Sequence, residues 1–193
     1  MDTRIKAIEF LEKEHEYWFT DSNGKHRQLH GVTGAIGKLM GKKFPDTDTV
    51  KLATLYGHDV HSDSENWIKD GIEPSTEAGK WLVNYLKELK KMCNITAYEA
   101  ELLVSDFEAT ASCIDIVAHR KDGKAILFDI KTTTTFDRAY CSLQLSVYKR
   151  LFEEVYGEEV ADLYVLGTKS KRAFHILEQD KSKVQKVLDM NKA

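Results

Sequence analysis

The chain has 193 residues, 42% of them hydrophobic and 31% charged, with a net charge of -3 and an isoelectric point near 6.2. That length fills one well-buried domain and is short for two. The slightly acidic balance argues against a protein that coats nucleic acid over its whole surface, although it leaves room for one basic groove.

The opening residues, MDTRIKAIEFLEKEHEYW, have neither the apolar centre nor the small-residue cleavage site of a secretory signal. The apolar runs are too short for a transmembrane span, so a cytoplasmic protein with no membrane partner is the expectation. Cys93, Cys113 and Cys141 are widely spaced and form no CxxC or Cys/His zinc pattern. They read as reduced thiols, and their number excludes a four-cysteine iron–sulfur cluster.

From Ile8 to about Thr33, an aromatic strand, a turn at Asn23-Gly24 and a return strand predict an N-terminal β-hairpin. Asp46 to Asp48 offer N-caps for a helix that carries Leu52, Leu55, Tyr56, Val60, Trp67 and Ile68. A second helix follows Pro74-Ser75-Thr76, with Leu82, Tyr85, Leu86 and Leu89 on one face. Strands are predicted at Ala97 to Ser105, Ala111 to His119 and Lys124 to Thr132. A helix from Arg138 to Tyr156 ends at Gly157. The stretches ADLYVLGT and AFHILEQ form a further strand pair, and a short amphipathic helix closes the chain. The expected architecture is one α/β (α+β) domain over 1–193, a mixed central sheet flanked by helices. Its expected parts are an N-terminal extension over 1–33, a core over 34–157 and C-terminal strands and helix over 158–193. Lys87, Lys90 and Lys91, and Lys169, Lys171 and Arg172, read equally well as basic patches or as solvated faces.

The segment CIDIVAHRKDGKAILFDIKTTTT, Cys113 to Thr135, places Asp115, Asp129 and Lys131 where core strands would carry Val or Ile. A two-residue turn at Asp122-Gly123 would set Asp115 opposite Ile130. A three-residue turn, Lys121 to Gly123 with a left-handed glycine, sets Asp115 opposite Asp129. The second register gathers Ile114, Ile116 and Ala118 with Ile126, Phe128 and Ile130 on a core face and leaves Asp115, Asp129 and Lys131 on the other. Apposed carboxylates repel unless a positive charge lies between them, and a divalent cation bound through oxygens meets that need.

The order of four elements resembles the PD-(D/E)XK nuclease superfamily, and within it the RecB-type exonuclease group. These are the helix ATLYGHDVHSDSENWI, the acid in YEAELLV, the pair CIDIVA and AILFDIKT, and the helix LQLSVY. The resemblance covers roughly Thr33 to Gly157 and implies a restriction-endonuclease-like fold. It implies that His61, Asp115, Asp129 and the Ile130 carbonyl ligate Mg2+ or Mn2+. It further implies that Lys131 acts on the attacking water and the phosphate, that Gln144 and Tyr148 line the site and contact the substrate or Lys131, and that Glu101 is an accessory acid. Where relatives carry a glycine before the first Ile-Asp, this chain has Ser112-Cys113.

The function so implied is a metal-dependent DNA nuclease, an exonuclease of phage or bacterial recombination, repair or processing, with any helicase or recombination partner on a separate chain. The competing reading is a DNA-binding subunit of a larger complex that keeps the nuclease fold without catalysis. The intact set of acids, Lys131 and Gln144 favours the enzyme.

Overall fold

The two charged strands lie side by side within a five-stranded sheet, and the rest of the chain is arranged about them. The computed structural model describes residues 1–11, 14–42 and 48–192, with side chains in the last stretch from residue 54 onward. A separate three-stranded antiparallel sheet is formed by β1 (Ile8–Leu11), β2 (Glu16–Thr20) and β3 (His26–Leu29), in that order. Alternation in β2 buries Tyr17 and Phe19. The turn to β3 is held by Asp21 Oδ1, which accepts the amides of Asn23 at 2.9 Å and Lys25 at 3.0 Å. Gly24 sits at φ +77, a left-handed position that glycine enters without strain. The expected hairpin is therefore present, with β1 added as a third strand.

Helix α1 (Val32–Leu39) has no counterpart in the expected elements. Gly31, Gly34 and Gly37 weaken the local helical signal, and the helix holds because Val32, Ala35 and Ile36 are buried in the core. Helices α2 (Asp48–Asp70) and α3 (Glu77–Met92) follow. The N-cap expected at Asp46 to Asp48 falls outside the described side chains. Asp63 of α2 ties the two helices together. Its Oδ1 accepts from the Ser75 amide at 2.8 Å, and its Oδ2 accepts from the Thr76 amide at 2.8 Å and the Thr76 hydroxyl at 2.6 Å. Thr76 in turn caps α3 by accepting the Gly79 amide at 2.9 Å. Burial works against the Asp63 charge, but the donors from Thr76 and Ser75 outweigh it and hold the carboxyl below its usual range.

The main sheet runs β4 (Ile95–Ser105), β5 (Ala111–Arg120), β6 (Lys124–Lys131), β7 (Glu159–Gly167) and β8 (Arg172–Ile176), in that order. All neighbours are antiparallel except β6 and β7. That parallel pair needs a crossover, supplied by α4 (Arg138–Tyr156), which Asp137 caps through the Tyr140 amide and Gly157 ends at φ 70. Helix α5 (Lys181–Lys192) closes the fold. One face of the sheet packs under α4, with Val32 and Ile36 of α1 and Val184 and Leu188 of α5 in the same core. The other face packs under α2 and α3 through Val60, Leu82 and Leu86.

Pairs from His119–Ala125 to Ile116–Phe128 fix the three-residue turn, with Gly123 at φ 77. Ile116, Ala118, Ile126, Phe128 and Ile130 share the α2–α3 core as expected. Ile114 does not; it joins Val117 and Leu127 under α4. The even positions of β5 thus change faces across Asp115. On β4, Tyr98 belongs to one core while Leu102 and Val104 belong to the other, and Glu101 at φ 51 stands at that change. The paired strands switch faces together where their two acids lie.

A Cβ on Gly79 would stand 2.7 Å from Asp63 Cβ, and closer still to its carboxylate. Gly79→Ala is therefore expected to push α2 off α3 and cost about 1–3 kcal/mol in urea unfolding. An unchanged urea midpoint would show that this clasp does not hold the helices.

Candidate metal centre

Four elements bring the charged side chains together. Helix α2 carries His61, β4 carries Glu101, β5 carries Asp115, and β6 carries Asp129 and Lys131. His61 lies two residues before Asp63, so the clasp on α3 also fixes the turn that presents the imidazole. Its Nδ1 is 3.6 Å from Glu101 Oε1 and 3.8 Å from Asp115 Oδ1. Continuing the β5–β6 register would bring Asp115 opposite Asp129. There, instead, Asp115 Oδ2 accepts the Ile130 amide at 2.6 Å. A side chain takes the place of a backbone partner, which leaves the other Asp115 oxygen facing His61.

One donor atom from each of His61, Glu101 and Asp115 lies within 4.8 Å of the others. Donors around one small divalent ion, at about 2.1 Å each, can be no farther apart than about 4.2 Å. The two measured separations fall inside that span, so a small closure would suffice. Asp129 stands beside this trio. It is almost fully buried, and Lys131 Nζ donates to its Oδ1 at 2.8 Å. Asp129 Oδ2 is also 2.8 Å from that ammonium, but it is buried without an aligned hydrogen bond. A carboxylate oxygen left with unused lone pairs beside two further acids and an imidazole fits a hard cation with oxygen and nitrogen ligands.

Burial disfavours the charged imidazolium of His61, but Asp115, Glu101 and Asp129 outweigh it and raise its pKa to about 9. Burial raises the Asp115 carboxyl above its ordinary range against the pull of His61, and it does the same to Asp129 against the pull of Lys131. Lys131 is also desolvated, yet Asp129 and Asp115 keep it firmly protonated. The centre is thus a knot of opposed charges, in which a proton on His61 offsets part of what a cation would neutralise.

Gln144 and Tyr148 are i, i+4 on α4 and bond to each other, Gln144 Nε2 donating to Tyr148 Oη at 3.0 Å. Tyr148 Oη and Ser112 Oγ are 3.2 Å apart. These contacts run to one another and to β5, and no hydrogen bond joins either residue to Lys131. Gln144 Oε1 is buried without a partner, and burial, with the charge of Asp115 adding to it, raises the Tyr148 hydroxyl above its ordinary range. At Ile130 it is the amide, held by Asp115, that joins the cluster. His58, near His61 in sequence, is exposed.

Sequence reasoning passed over Asp63 as the support of His61, and Ser112 as the partner of Tyr148. It treated Ser112 only as a departure from glycine. No pattern along the chain links Asp63 to Gly79, because they meet only when two helices pack. A lone hydroxyl on a mostly apolar strand was the available signal for Ser112.

No protein-family model matches the chain, and no curated protein matches it. Among solved structures, a protein from Eubacterium rectale described as an inferred exonuclease is 12% identical, over 85% of this chain and 77% of its own, with a TM-score of 0.40. The protein SSO0001 is 16% identical, over 88% of this chain and 78% of its own, with a TM-score of 0.39. Superposition of that quality says nothing about chemistry, which rests on the geometry above.

At pH 7 His61 carries its proton, so an ion taking that nitrogen must displace it. Mn2+ titrated at pH 7 is expected to release close to one proton, read by calorimetry in buffers of different ionisation heat. Its affinity should rise about tenfold per pH unit until about pH 9. In the metal-free protein the sign is opposite. The raised His61 pKa contributes stability that is complete below about pH 6.5 and is lost as pH rises through about 9. Binding without proton release would contradict the role given to His61.

Proposed function

We propose that the chain is a divalent-metal-dependent deoxyribonuclease of PD-(D/E)XK type, an exonuclease of the RecB-like group serving phage or bacterial DNA recombination, repair or processing. The observation that carries this reading is the meeting of His61, Glu101 and Asp115, beside the Asp129–Lys131 pair on the next strand. A surface ion pair explains Asp129 and Lys131 alone, but it gives no reason for three further titratable groups to converge on them from three other elements.

Each residue then has a task. His61, Glu101 and Asp115 would hold Mg2+ or Mn2+, and Asp129 would add the carboxylate oxygen that lacks an aligned hydrogen bond. Such an ion, when bound, lowers the pKa of a water and neutralises charge on a phosphodiester. Asp129 fixes the Lys131 ammonium, whose charge would offset the negative charge a phosphodiester gains under attack. A lysine kept protonated serves there as an electrostatic group rather than as a base. Gln144, Tyr148 and Ser112 join α4 to β5 three residues before Asp115.

The test is degradation of end-labelled linear DNA and of a closed circle, with Mg2+ or Mn2+. Loss of the linear substrate alone is expected, abolished by EDTA and reduced at least about 100-fold in Lys131→Ala and in Asp115→Ala. Tm measured alongside separates lost chemistry from lost folding. Cleavage of the circle would make the activity endonucleolytic. Binding of DNA without cleavage of either substrate would overturn the catalytic reading in favour of a binding module.

A further inference from the structure

Three segments meet where β6 ends. A Cβ on Gly57 of α2 would lie 3.4 Å from Thr132 Oγ1, in ordinary contact with the residue after Lys131. From the other side, the Thr168 amide donates to the Lys131 carbonyl at 3.0 Å. The residues next to these contacts are Tyr56, before Gly57, and Lys169, after Thr168. The Lys169 ammonium lies 5.6 Å from the centre of the Tyr56 ring, within cation–π range. Leu55 is 62% exposed and Tyr56 is 37% exposed, so an aliphatic and an aromatic side chain face solvent together beside the metal centre.

Among the described residues, Lys169, Lys171 and Arg172 make no ion pair, and Glu77, whose carboxyl Lys80 and more weakly Lys171 hold down, is bonded to Lys80 at 2.7 Å. The turn that carries them is tight. Ser170 Oγ donates to the Gly167 carbonyl at 3.1 Å, and a Cβ on Gly167 would be 2.9 Å from the Phe174 ring. In a chain of net charge -3, three unpaired cations beside an exposed ring form a local site for a charged polymer with flat faces.

We propose that Tyr56, flanked by Leu55 and Lys169, is a stacking platform for an unpaired base, and that Lys169, Lys171 and Arg172 hold the adjoining phosphates of a single strand led into the centre. The proposal rests on the nuclease reading and names its substrate form. Inside a duplex the faces of every base except the outer face of a terminal pair are covered by neighbours, so an unpaired strand offers its bases to Tyr56 far more readily. Tyr56 lies five residues before His61, roughly 7.5 Å along the helix axis, so the platform stands beside the ligands rather than among them. Its role is to position substrate.

The test is binding, with Ca2+ replacing Mg2+ so that the strand stays whole. A short single-stranded oligonucleotide carrying 2-aminopurine is followed by anisotropy and by quenching of the probe base, with a blunt duplex of equal length beside it. Wild type is expected to bind the single strand more tightly and to quench the probe. Tyr56→Ala is expected to weaken single-strand binding about tenfold and to remove the quenching. Tyr56→Phe should retain both, and the duplex should change less than twofold. Lys169→Ala is expected to weaken binding and flatten its salt dependence. Because Tyr56 is part-exposed, an unchanged Tm verifies folding of its variants. Equal single-strand binding by wild type and Tyr56→Ala, or equal losses on single strand and duplex, would overturn the platform. If wild type cleaves DNA under Mg2+ while Tyr56→Ala binds normally, the platform alone falls. If wild type neither cleaves nor binds DNA, the nuclease reading falls and the platform with it.

Discussion

The bond from the Ile130 amide to the Asp115 carboxylate is the constraint on which the centre depends. Desolvating a carboxylate in mid-sheet costs several kcal/mol unless its oxygens find donors. At Asp115 one oxygen finds the amide that an unbroken ladder would have given to a backbone carbonyl. That substitution opens the β5–β6 pairing just where Asp129 begins the charged end of β6. It also lets the neighbours of Asp115 pack on opposite faces, Ile114 under α4 and Ile116 under α2 and α3. Glu101, at a positive φ that an ordinary strand residue avoids, marks the matching change on β4. A regular sheet would have sent these acids in alternation toward solvent and core. The switched sheet turns them toward α2.

The supporting structure is built to keep that opening from closing. Asp63 accepts from Ser75 and Thr76 and so fixes α2 against the start of α3, which holds His61 over the acids. On the other face, α4 covers the opening with Tyr148 and Gln144 rather than with aliphatic side chains. Their mutual bond and the contact with Ser112 satisfy most of their polar atoms where water is excluded. The remaining orphans, Gln144 Oε1 and Asp129 Oδ2, are both on the elements that border the cluster. Unmet hydrogen-bonding capacity of that kind, at the border of a charged cluster, is what a polar ligand or ion would complete.

Much of this was legible in the chain. The three-residue turn followed from a demand for coherence, since only that register puts Ile116, Ala118, Ile126, Phe128 and Ile130 on one side, and Gly123 adopts the left-handed conformation the turn needs. Gly157 after the long helix was equally readable. Ile114 was misplaced because strict alternation was assumed through Asp115, and alternation is a property of regular strands. Helix α1 was missed because glycine-rich sequence hides a helix that tertiary burial stabilises. The resemblance named His61, Asp115, Asp129 and the Ile130 carbonyl as ligands and Glu101 as an accessory acid, whereas it is Glu101 that meets His61 and Asp115. Spacing along the chain could not have given that meeting, since it depends on where α2 crosses the sheet. Tyr56 had been read as one apolar position on a helix face, and only its exposure beside Lys169 gives it another meaning.

The most direct measurement of the central claim is anomalous diffraction from crystals grown with Mn2+. One strong peak is expected, bound to His61, Glu101 and Asp115, with metal–oxygen distances of about 2 Å and with Asp129 turned toward the ion or its water. A fully ordered crystal in which these side chains keep their metal-free contacts, with Mn2+ elsewhere or nowhere, would contradict it.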